Sequence, residues 1–116
     1  MIYPEIDETR RVHYHAIGHW RNDTIPRLME RAAAANPSKV AVRDASGAAI
    51  TYAELIEHAA AVSGYLASLG VKPGDIVTVC LPNWWQTVAI FLGIQRIGAV
   101  LNPVPVRTID TRPHAL

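Results

Sequence analysis

The chain has 116 residues, half of them hydrophobic and 18% charged, with a formal net charge of +1. That composition excludes a disordered chain, and the length excludes more than one small domain. No basic block is present, so nucleic-acid binding has no electrostatic footprint and no nucleic-acid partner is expected.

Residues 1–23 show no clean period. Tyr3, Tyr14 and the histidines of "RVHYHAIGHW" suggest an irregular arm lying on the body through its aromatics. Residues 24–35 predict a helix. Ile25, Leu28, Met29, Ala32 and Ala33 form one apolar stripe, Thr24 supplies a cap, and Pro26 suits a first turn that needs no N–H donors. "KVAVRDASGAAITY" predicts a β-hairpin turning at Asp44-Ala45-Ser46-Gly47. Thr51 and Glu54 then form a capping box, so a second helix starts there. Its stripe is Leu55, Ala59, Val62, Leu66 and Leu69, and Gly70 supplies a left-handed stop.

"VKPGD" is a tight turn, and "IVTVCL" (residues 76–81) is a continuous apolar strand of the kind buried on both faces of a parallel sheet. Pro82-Asn83 closes it, with Asn83 as the cap of the next helix. Residues 84–97 are apolar almost all round, which predicts a buried helix. Gly98 stops it, and residues 99–102 form the next strand. Strand, helix and strand make a βαβ unit, whose crossover should be right-handed.

Several function classes are narrowed by single residues. Cys80 is the one cysteine, so no internal disulfide forms, and a thiol buried in a strand suits a reducing cytoplasm and chemical inertness. Glu5, Asp7 and Glu8 precede any basic residue, unlike the start of a secretory leader. Residues 84–106 carry only Arg96 as a charge. Arg96 lies mid-stretch, where it costs about 2.5–3.5 kcal/mol on insertion scales, and Gly98, Pro103 and Pro105 break the span. No transmembrane segment is expected.

The search for chemistry is nearly empty. No Gly-rich phosphate loop is visible, and Gly70, Gly74 and Gly98 each serve a turn or a stop. His13 and His15 share a face if the arm is extended, with His19 near. Without a Cys, Asp or Glu at ligand spacing, a metal site there is the weaker reading. His58 lies off its helix's apolar stripe and should face solvent. Ser38, Ser46, Ser63 and Ser68 have local turn or helix roles and no nucleophile-elbow context. Trp84 and Trp85 could stack a flat ligand. However, successive helical residues point about 100° apart, so two apolar anchors are the better reading.

The words of the sequence, taken in order, carry more. "TIPRLMERAAAANPSKVAVRD", "TYAEL", "LGVKPGDIVTVCLPN" and "RIGAVLNP" resemble the start of an AMP-forming acyl-CoA synthetase, and the "LPNWW" form is most similar to medium-chain and cyclic-acid CoA ligases. The resemblance implies an α/β fold: part of the family's large N-terminal domain, with a β-hairpin, a βαβ unit and three helices around an incomplete sheet. It divides the chain into an arm (1–19), the family domain (20–103) and a tail (104–116) that departs from the family, as after a frameshift or early stop.

For an intact enzyme the resemblance implies that a carboxylic acid is joined to ATP and passed to coenzyme A, with Mg. The phosphate loop, the adenine and ribose motifs and the catalytic Lys of that family are absent from this sequence. No catalytic, cofactor-binding or metal residue is therefore assigned, no cofactor is expected for this chain by itself, and it is expected to be inactive alone. Three other expectations stand beside this one: half of a split ligase completed in trans, a binding module using the face around Trp84 and Trp85, and, more remotely, a metal protein through His13, His15 and His19. An open strand edge also predicts self-association.

Overall fold

The structure is a computed structural model, and it describes residues 4–106. Met1–Tyr3 of the arm and residues 107–116 of the tail lie outside the described residues.

The arm is not irregular. α1 spans Glu8–Ala16. The Asp7 side chain accepts a hydrogen bond from the Arg10 amide at 3.0 Å, and Arg11 pairs with Glu8 one turn back. A capped first turn and an i,i+3 ion pair are helix devices, and they outweigh the lack of a clean period that suggested an irregular arm. The described residues thus hold four helices rather than three. No residue of α1 is buried.

α2 (Ile25–Ala35) has Thr24 as its N-cap and Pro26 in its first turn, as the sequence predicts. The hairpin of β1 (Val40–Arg43) and β2 (Ala49–Thr51) is antiparallel, with an irregularity in register between Val40 and Val42. α3 (Tyr52–Ser68) opens with both hydrogen bonds of the capping box: the Glu54 amide donates to Thr51 Oγ1 (3.2 Å) and the Thr51 amide to Glu54 Oε2 (2.8 Å). It ends at Gly70, where the amides of Gly70 and Val71 reach back to the carbonyls of Ala67 and Leu66.

β3 (Ile76–Val79) and β4 (Val100–Pro103) are parallel neighbours joined through α4 (Trp85–Arg96), which is the βαβ unit. The two pairs of strands are separate two-stranded sheets, not one incomplete sheet.

Two apolar clusters hold these layers together. Leu55, Ala59, Ala89 and Leu92 join α3 to α4, with Met29, Val42, Ile50 and Trp85 around them. Val79, Ile94 and Ala99 join α4 to the β3–β4 ribbon. Leu55 and Ile94 are fully buried. Truncating either to Ala costs about 2–5 kcal/mol, because a cavity adds to the lost transfer energy.

Two sequence expectations need correction. β3 is not buried on both faces. Val79 is buried and Val77 half-buried, but Ile76 is 57% exposed and Thr78 is exposed. Among the described residues α4 covers one face of the ribbon, while on the other Asn102 donates to Thr78 Oγ1 at 3.2 Å. Asn83 is not the cap of α4 either. Trp84 occupies that position with extended backbone and no side-chain cap bond.

Candidate functional site

A groove of about 650 Å³ lies where three distant segments meet. Val42, Arg43 and Asp44, at the end of β1, form one wall. Trp84, Thr87, Val88 and Phe91 of the α4 region form another. Val79, Leu81, Pro103, Val104 and Pro105 close the third side. The volume falls within the range of small-molecule pockets, and the lining is mostly apolar with a few polar groups.

Its most organised polar group is Asp44. Oδ1 accepts from the Ser46 amide (2.9 Å) and the Ser46 hydroxyl (2.5 Å), and Oδ2 accepts from the Trp85 amide (3.0 Å). The Ser46 hydroxyl bond, then the Trp85 amide, hold the Asp44 carboxyl below the usual aspartate range. Asp44 thereby supplies the start of α4 with the acceptor that Trp84 lacks. Thr87 secures the same turn by donating its hydroxyl to the Pro82 carbonyl at 2.6 Å.

The two tryptophans part company. Trp85 is half-buried against the first apolar cluster, with its ring 4.8 Å from that of His58. Trp84 is 52% exposed and lines the groove, so only one of the pair is an anchor. The extended backbone at Trp84, just before the first helical turn, takes its ring out of the helical stripe.

The other candidates stay scattered. His13 and His15 sit two residues apart on a helix, hence on nearly opposite sides, and not together as an extended arm would place them. Tyr14 stacks on Trp20 at 5.1 Å, and His15 meets that indole edge-on. Among the described residues no group of three or more His, Cys, Asp or Glu is placed to hold a metal ion. His58 is exposed, as expected. Cys80 is half-buried rather than buried, because its strand is open on one face.

Ser63 does more than the sequence suggested. Its buried hydroxyl lies 3.0 Å from the Ala59 carbonyl and 2.9 Å from the Gly93 carbonyl of α4. Sequence reasoning also missed Asp44, Arg43 and Thr87 as groove residues. The "DASG" turn signals the Ser46 bond, but nothing local signals a partner 41 residues away.

A second, shallower apolar recess of about 460 Å³ lies between α3, β3 and α4, around Val62, Tyr65, Val77 and Ile90.

With this geometry in place, known proteins decide the family. The AMP-binding enzyme family model matches residues 29–112. The chain belongs to that family. The chain is 33% identical over 98 residues to the medium-chain fatty-acid–CoA ligase of Escherichia coli, covering 84% of this chain and 17% of that relative. It is 34% identical over 95 residues to a salicyl-AMP ligase / salicyl-S-ArCP synthetase of Mycobacterium tuberculosis, covering 78% and 17%. In structure it superposes on apo MbtA of Mycobacterium smegmatis with a TM-score of 0.81 at 34% identity, over 90% of this chain and 20% of that one. The chain therefore spans about a sixth of the length of these curated relatives.

The mixed helix–strand architecture matches that of the N-terminal domain of adenylate-forming enzymes. No helix among the described residues is long and apolar enough to cross a membrane.

Proposed function

We propose that residues 20–103 are the N-terminal scaffold of an AMP-forming acid–CoA ligase. The intact enzyme would join a carboxylic acid to ATP with loss of pyrophosphate, then pass the acyl group to coenzyme A, with Mg as the metal. The single observation that carries this reading is the family match over residues 29–112. This chain by itself is inactive, because its sequence holds no phosphate loop and no catalytic Lys motif, and pyrophosphate cannot leave without its charge being stabilised.

The "LPNWW" form, most similar to medium-chain and cyclic-acid CoA ligases, makes acids of that kind the first to test. A cytoplasmic place for that chemistry is part of the same reading, and the single cysteine, Cys80, supports it.

The test is carboxylate-dependent ATP–pyrophosphate exchange, with octanoate and salicylate as the acids. The purified full chain should show none. A chimera carrying residues 20–103 in place of the matching part of the Escherichia coli ligase should show exchange. Exchange by the chain alone overturns its inactivity, and a soluble, ATP-binding chimera without exchange overturns the scaffold role. A second reading, half of a split ligase or a docking module, draws support from the half-exposed Trp84 on the groove wall. It predicts a stable chain that co-purifies with a partner, carrying the phosphate loop in the split case.

A further inference from the structure

We propose that the Asp44 carboxylate is a latch that ties the β1–β2 hairpin to the start of α4, and that its release lets the hairpin swing away from the groove. The inference is independent of the ligase reading and rests on hydrogen-bond geometry.

A helix start leaves its first amides without intrahelical partners. In α4 the usual remedy, a side chain at the N-cap, is missing, because Trp84 has no acceptor to offer. The Trp85 amide instead donates to Asp44 Oδ2 at 3.0 Å, across 41 residues of chain. A carboxylate there is favoured twice, as a charge-assisted acceptor and as an anion at the positive end of the helix. Ser46 holds the other oxygen through both its amide and its hydroxyl, so the carboxylate is aimed before α4 arrives.

Among the described residues no other hydrogen bond joins the hairpin to the start of α4. β2 is three residues long, and the closing bond from the Asp44 amide to the Ala48 carbonyl is 3.4 Å. Its apolar residues Val42 and Ile50 pack at the margin of the first cluster and are only half-buried. Asp44 also lies on the groove wall opposite Trp84 and Thr87. The bond that caps the helix therefore also sets the width of the groove at that end.

The experiment is amide hydrogen exchange at Trp85 and, as a core control, at Ile94, on the full chain. In the unaltered chain Trp85 should be protected. Asp44→Ala should speed its exchange about tenfold, the loss of one charge-assisted bond, with Ile94 unchanged. Asp44→Asn, which keeps an acceptor without the charge, should fall between. Ser46→Ala leaves the carboxylate but frees its aim, and should speed Trp85 alone. Free-peptide exchange at Trp85 in the unaltered chain overturns the latch. So does unchanged exchange in Asp44→Ala. If Asp44→Ala also exposes Ile94, the decision passes to Ser46→Ala, where an unchanged Trp85 overturns the proposal.

Discussion

At residue 93 the contact between α3 and α4 leaves no room for a side chain. A Cβ there would stand 2.6 Å from Val62 Cβ and 2.9 Å from the Ala59 carbonyl oxygen. Backbone and a β-branched side chain give way poorly, so Gly93→Ala must push the helices apart and strain the Ser63 bond to the Gly93 carbonyl. The expected cost is about 1–3 kcal/mol, read as a fall in denaturant midpoint with little change in slope. Charged residues add an acid limit. The carboxyls of Asp44, Glu54 and Glu8 are all held below their ordinary values, chiefly by Ser46, by the Thr51 amide and by Arg11 respectively. A lowered folded value means a contribution fully present above the unfolded carboxyl's range and lost as pH falls through the folded one. Thermal stability should therefore hold from neutrality down to about pH 4 and decline below it. A melting series against pH checks this, and Asp44→Asn should flatten the acid limb. An acid limb that is the same in Asp44→Asn removes Asp44 from the account.

Elements behave according to how local their causes are. Thr51→Ala removes one half of the α3 capping box and leaves the Glu54 amide without its acceptor. That loss is about 1 kcal/mol, or roughly 4–8 °C in Tm for a domain of this size. Calorimetry of the variant tests it, and an unchanged Tm would mean that solvent satisfies that amide equally well. The same locality explains what the sequence reveals. Thr24 before α2, the Thr51–Glu54 box and the stop at Gly70 each act within a few residues, so spacing alone exposes them. The start of α1 was also local, through Asp7 and the Glu8–Arg11 pair, but the segment lacks a clean apolar period and so read as an irregular arm. The groove was not legible, because Arg43, Trp84 and Pro105 are brought together only by tertiary packing. Likewise the open face of β3 could not be read from "IVTVCL", whose β-branched residues fit a half-covered strand as well as a doubly covered one.

For the whole molecule the decisive quantity is the apolar surface without cover. Ile76 on β3, Tyr65 on α3, Leu69 at the C-terminal cap of α3 and Trp84 beside the groove are each more than half exposed. Among the described residues the β3–β4 ribbon has two strands, and unpaired strand edges template pairing with another chain. Scattered exposed apolar residues are ordinary, but an open strand edge beside them favours association. The full chain should therefore elute above its monomer mass, with the excess growing with concentration. Ile76→Lys places a charge on the exposed face of β3, next to the edge, and should shift the population toward monomer without lowering helix content. Sedimentation velocity over a concentration series separates the outcomes. A concentration-independent monomer with one sharp thermal transition would show that α4 and the hairpin already give this chain enough cover. Association untouched by Ile76→Lys would move the contact to the groove, where Trp84→Ala becomes the variant that must disperse it.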